Sequence, residues 1–73
     1  MAVLTDVSGR EAVRAFQRAG WMVLRQKGSH VIMGKSGERT RIVIPMHDAL
    51  KRGLLLARIK DAGLTPEEFL KLL

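Results

Sequence analysis

The sequence predicts an α+β domain in the order α-β-β-β-α(-α), a three-stranded antiparallel sheet with helices on one face. Three observations carry that expectation. Two Ser/Thr capping boxes open the first and last helical runs, and the middle of the chain is a series of short β-prone runs broken by glycine-containing turns. A length of 73 residues allows one domain, 1–73, with a single thin core. Consecutive strands joined by short turns form a meander, and helices then cover its apolar face.

The elements follow in order. Ser8-Gly9-Arg10-Glu11 is a capping box that starts a helix within Val7–Ala19. Ala12, Ala15, Phe16 and Ala19 recur at helical spacing as its apolar stripe, and Gly20 closes it. Trp21–Lys27 has no helical periodicity and reads as a strand, ended by Gly28-Ser29; His30–Gly34 is a second short apolar run. Lys35-Ser36-Gly37-Glu38 is a turn. Thr40–Pro45 is the third strand, stopped by a proline that lacks a backbone donor. Leu54–Ala62 is helical, with Leu55, Ile59 and Ala62 on one face and Gly63 as its stop. Thr65-Pro66-Glu67-Glu68 is the second capping box and starts a terminal helix through Phe69, Leu70 and Leu73.

Several function classes are excluded early. No run approaches the ~20 apolar residues of a membrane span. Met1–Leu4 is too short for a secretory apolar region, and Asp6 follows it closely. With no cysteine there are no disulfides, thiolate nucleophiles or cysteine-based zinc modules. A core held by packing alone suits a cytoplasmic protein. So small a core does not enclose a deep site, and any chemistry is expected on an open surface.

The charge indicates the class of partner. Thirteen Lys+Arg stand against seven Asp+Glu, a net of +6, which favours a polyanion. The excess lies in the middle of the chain: residues 25–47 carry five cations and one acid, and residues 48–60 four cations and one acid. Residues 61–73 are net acidic.

The stretch Gly20-Trp21 through Arg25-Gln26-Lys27-Gly28-Ser29-His30 resembles the HicA family of small toxins, the mRNA interferases of HicA–HicB toxin–antitoxin pairs. The hairpin at Ser36-Gly37-Glu38-Arg39, the segment Pro45-Met46-His47, the basic Lys51-Arg52-Gly53 and the helix end Ile59-Lys60-Asp61-Ala62-Gly63-Leu64 agree with it. The resemblance covers residues 8–64. It implies a fold like a double-stranded-RNA-binding domain, metal-independent RNA cleavage with His30 as the catalytic residue, and a HicB-like antitoxin that blocks the site. One departure matters. The family usually has Gly-Thr-Leu at the start of the second helix, whereas Gly53-Leu54-Leu55 lacks that hydroxyl and leaves only backbone N–H groups for a phosphate.

Read from the residues themselves, His30 is an imidazole beside a turn and among cations, a group able to move protons near neutral pH. An exposed hairpin histidine is also an ordinary feature. His47 is either a second acid/base, a phosphate contact, or a loop residue with no such role. Neither histidine has the spacing or carboxylate company of a metal site, and no cofactor is expected. Strand alternation puts Arg25 with Lys27, and Arg39 with Arg41, on the open face, with Met22, Leu24, Ile42 and Ile44 inward. Val31 and Met33 then point inward, and Val23, Ile32 and Val43 form an apolar patch, the expected antitoxin docking surface, beside a histidine ringed by cations. A bulge at Gly28-Ser29 would invert this parity. Ser29, Lys51 and Arg52 complete the expected RNA contacts; Arg58 and Lys60 flank them. Arg10, Arg14 and Arg18 read as a solvated helix face, and Trp21 as core. Two other functions fit the residues: a non-catalytic RNA-binding module, and a protein-interaction domain using the apolar open face.

Overall fold

The first turn of the chain's first helix is closed by side chains, as the capping box requires. The Glu11 N–H donates to Ser8 Oγ and the Ser8 N–H to Glu11 Oε1, both at 3.0 Å. The computed structural model describes residues 4–73, so most of the short apolar start, residues 1–3, lies outside the described residues. Helix α1 (Gly9–Arg18) is followed by strands β1 (Met22–Lys27), β2 (His30–Gly34) and β3 (Ile42–Pro45), then by helices α2 (Arg52–Asp61) and α3 (Pro66–Leu72). The strands form one antiparallel sheet in the order β1-β2-β3. This is the predicted architecture.

Both longer helices end in the same hydrogen-bond pattern. After α1, the Gly20 N–H donates to the Gln17 carbonyl and the Trp21 N–H to the Phe16 carbonyl; after α2, Gly63 donates to Lys60 and Leu64 to Ile59. These are Schellman closures, which occupy the last free carbonyls of a helix. Helix α3 repeats the capping box through Thr65 and Glu68, at 3.1 and 2.9 Å.

The core lies between the helices and one face of the sheet. Val31 and Met33 of β2 and Ile42 and Ile44 of β3 are buried there with Ala12, Ala15 and Phe16 of α1, Leu55 and Ile59 of α2, and Phe69 of α3. The Phe16 and Phe69 rings lie 5.1 Å apart at 48°, an aromatic contact worth about 0.5–1.5 kcal/mol beyond its buried area. Leu73, expected in the last helix's apolar set, is exposed. Trp21 is only 2% exposed and sits just before β1 rather than in it. Its Nε1 is buried without a partner, which costs about 1–3 kcal/mol. Burying ~200 Å² of indole is worth about 5 kcal/mol, so packing wins.

The expected parity of β1 is overturned. Met22 and Leu24 are 63% and 50% exposed rather than inward. The register shifts between Val23 and Arg25, so the bulge is at Leu24 and not at Gly28-Ser29. A bulge sets two residues against one, here Leu24 and Arg25 against Ile32, and reverses the alternation beyond it. Val23 therefore opposes the buried Met33, on the helix side, while Arg25 and Lys27 keep the open face through Ile32 and His30. No residue of β1 is buried, whereas β3, the other edge strand, buries three of its four residues. The third strand is also shorter than expected, since Thr40 and Arg41 remain in the loop. No helix among the described residues is long and apolar enough to cross a membrane.

One contact fixes how α1 meets the sheet. A Cβ placed on Gly9 would lie 2.2 Å from the Pro45 carbonyl oxygen and 2.8 Å from Met46 Cα, both backbone atoms. The Gly9 N–H donates to the His47 carbonyl at 2.9 Å. Gly9→Ala is therefore expected to destabilise the protein by about 1–3 kcal/mol, the range for overpacking. Gly53 has open space around it, and Gly53→Ala should instead leave stability unchanged or raise it by up to about 1 kcal/mol. Urea denaturation of the two variants checks both. A second expectation concerns acid. Hydrogen bonds from the Ser8 backbone and side chain, with the charge of Arg14, hold the Glu11 carboxyl below its ordinary value. Its contribution is complete above the unfolded value of about 4.3 and drains away as pH falls toward the lowered folded value. The melting temperature of Glu11→Gln should lie below wild type at pH 7 and converge with it below pH 4.

Candidate functional site

The open face of the sheet has two chemically different ends. At one end the two-residue turn Gly28-Ser29 joins β1 to β2. Gly28 has φ +60° whereas Ser29 is not in the left-handed region, the arrangement of a type II′ hairpin, whose twist matches the strands. The Gln26 amide donates to the Gly28 carbonyl at 3.0 Å and steadies the turn. His30 opens β2 directly after it, exposed, opposite Lys27 on one side and Pro45 on the other. Arg25 lies on the same face further along β1. The Ser29 carbonyl accepts the Met46 N–H at 2.6 Å, so the pairing continues one step past β3.

His47 is one residue beyond that bond and exposed. Its carbonyl turns toward Gly9, and its side chain shares a shallow depression with Ser8, Arg10, Met46 and Asp48 at the start of α1. Leu50 is buried and its N–H donates to the Val7 carbonyl at 2.7 Å, which ties the 46–51 connection down on both sides. Lys51 is the N-cap residue of α2 and Arg52 its first residue, both exposed. The helix has no side-chain cap and no acidic residue in its first turn. Its leading N–H groups are thus flanked by positive charge alone, a setting favourable to anions.

At the other end, β1 begins and β2 finishes. Arg41 precedes β3 here, and its Nη1 donates to the Glu38 carbonyl at 3.2 Å. Arg39 is exposed in the same loop. The cations therefore do not ring His30: Lys27 and Arg25 accompany it, while Arg39 and Arg41 stand at the far end of the sheet. The cause is the antiparallel register: His30 faces Pro45, so residues earlier in the third strand run toward the opposite end of β2. Of the flanking cations, Arg58 is paired with Asp61 at 3.3 Å. Arg18 donates to the Leu72 carbonyl and tethers the end of α3, a structural role not visible as a sequence pattern.

A family model described as the HicA toxin of bacterial toxin–antitoxin systems matches residues 9–64. The chain belongs to the HicA toxin family. No curated protein matches it. The toxin is accordingly one member of a toxin–antitoxin pair, and a cognate antitoxin is its partner. The matched span holds the whole sheet and both helices packed on it. It excludes α3, yet Phe69 of that helix is fully buried in the toxin's core. Among the described residues, no three potential metal-ligating side chains come together.

Sequence reasoning missed Leu24, Met22 and Lys35 as surface features of this face. The available signal was Gly34. A strand residue with no side chain invites a neighbour to lie over it, and Leu24 and Arg41 do so.

Proposed function

We propose that the toxin is an mRNA interferase, a ribonuclease that uses no metal, acts on single-stranded RNA in the cytoplasm and is opposed by a HicB-like antitoxin. The observation that carries this reading is an exposed His30 on a rigid hairpin, with Lys27 directly opposite and Arg25 on the same face. A phosphate drawn to Lys27 and Arg25 brings its neighbouring ribose to the imidazole. His30 takes the 2′-OH proton as the oxygen attacks the adjacent phosphorus, and the bond from phosphorus to the 5′-oxygen breaks. The products are a 2′,3′-cyclic phosphate and a 5′-hydroxyl. Charge that gathers on the phosphoryl oxygens is met by the two cations. The leaving 5′-oxygen needs a proton; His47, two residues past the Pro45 that pairs with His30, is the candidate donor, and water serves otherwise. Ser29, Arg39, Arg41, Lys51 and Arg52 extend the RNA path along the sheet face and to the α2 start.

Purified wild type should cleave single-stranded RNA in EDTA at low salt, and His30→Ala should be at least 100-fold slower with RNA affinity within about threefold. Lack of cleavage by wild type returns the chain to a non-catalytic RNA-binding module. In a separate measurement, Arg25→Gln with Lys27→Gln should reduce the slope of log affinity against log salt by about 1.4, at ~0.7 per phosphate contact. RNA affinity that ignores salt would leave only the protein-interaction reading.

A further inference from the structure

The end of the open face farthest from His30 carries a groove lined by Met22, Leu24, Gly34, Lys35, Ser36 and Arg41. Leu24 forms its floor: a Cβ on Gly34 would come within 2.7 Å of Leu24 Cδ1, so the leucine lies across the glycine instead of turning into the core. Met22 stands more exposed still, and the lining between the two is mostly apolar. Lys35 and Arg41 rim it, and the bond from Arg41 to the Glu38 carbonyl holds that guanidinium in place. Large apolar side chains exposed side by side on a small monomer mark an interaction surface, and cationic rims choose the partner's charge.

We propose that this groove anchors the antitoxin, taking an apolar side chain flanked by a carboxylate. The proposal rests on the toxin–antitoxin pairing and not on the ribonuclease reading. A base-stacking role for RNA fits less well, since the floor is aliphatic and no aromatic side chain is exposed there. The bulge is what makes the groove. With regular alternation Leu24 would face away from Arg25; with the extra residue it joins the open face, next to Gly34. From Met22 to Lys27 is about 17 Å at the rise of a strand. A partner seated in the groove therefore has about five residues of extended chain to run before it covers His30. Anchor and blockade are separate contacts, and affinity is set at the end of the sheet that performs no chemistry.

The test uses the purified product of the reading frame adjacent to this chain's gene, titrated calorimetrically into wild type, Met22→Asp and Leu24→Asp. These side chains are exposed, so the variants should keep the wild-type melting temperature within a few degrees. Leu24→Asp should weaken partner binding at least 30-fold and Met22→Asp at least tenfold. Cleavage should stay within twofold and RNA affinity should fall no more than about threefold, since Arg41 alone of the lining is assigned to the RNA path. Should Leu24→Asp fail to fold, Leu24→Ser and Lys35→Glu carry the same expectation. Unchanged partner affinity overturns the proposal. A loss of RNA affinity alone would make the groove an RNA surface. A wild-type dimer that Leu24→Asp dissociates, with partner binding intact, would make it a self-association face. Wild type that does not bind the adjacent product overturns the anchor as well, and cleavage assays then still score the ribonuclease reading independently.

Discussion

The first turn of α1 lies so close to the exit of β3 that position 9 has room for a hydrogen and no more. The backbone of Gly9 rests against Pro45 and Met46 and donates to His47. That contact sets the depth at which α1 meets the sheet. At that depth Ala12, Ala15 and Phe16 reach the buried side of β2 and β3, and Phe16 is placed to receive Phe69. It also holds the start of the 46–51 connection, whose other end is pinned by Leu50. The helices are thereby committed to one face, and the other face is left to solvent.

A single-sided sheet of this size offers little surface, and the toxin divides it. The hairpin end carries a histidine with Lys27 and Arg25 beside it, the group to which the proposed function gives proton transfer at a phosphate. The opposite end carries aliphatic side chains with cations only at the rim. Electrostatic attraction acts over a distance and is weakened by salt, whereas apolar contact acts only at touching range and is not. Under the two proposals, ligands of different chemistry are recognised on one face by different forces, with Arg41 assigned to both.

Most of the fold was legible in the sequence because it is punctuated by local signals that act through neighbouring backbone. Ser8 with Glu11, Thr65 with Glu68, Gly20, Gly63 and Pro45 each mark an element end that the structure reproduces within two residues. The strand β2 was legible in full, since Val31 and Met33 alternate without interruption. Strand β1 was not. Its facing depends on one extra residue at Leu24, and a bulge is decided by pairing with another strand, which leaves no local trace. The arginines at 39 and 41 were misplaced because the register of β3 on β2 sets Pro45, not the start of the strand, against His30. His30 was singled out by its motif, and the structure sets it opposite Lys27 across the hairpin. Of the groove, only Gly34 left a mark in the sequence; its leucine floor is set by the bulge.

The exposure of every residue in β1 has a consequence for inheritance. Core positions are policed by folding, so most changes there are lost regardless of what they do for recognition. Changes at Met22 and Leu24 escape that filter, since both side chains stand on the open face, half or more exposed. Lineages are therefore free to rewrite those two positions while the scaffold and the cations at 25 and 27 stay constant. With the groove as the proposed anchor, a duplicated toxin gene can drift toward a new inhibitor through substitutions at those two positions without losing its fold.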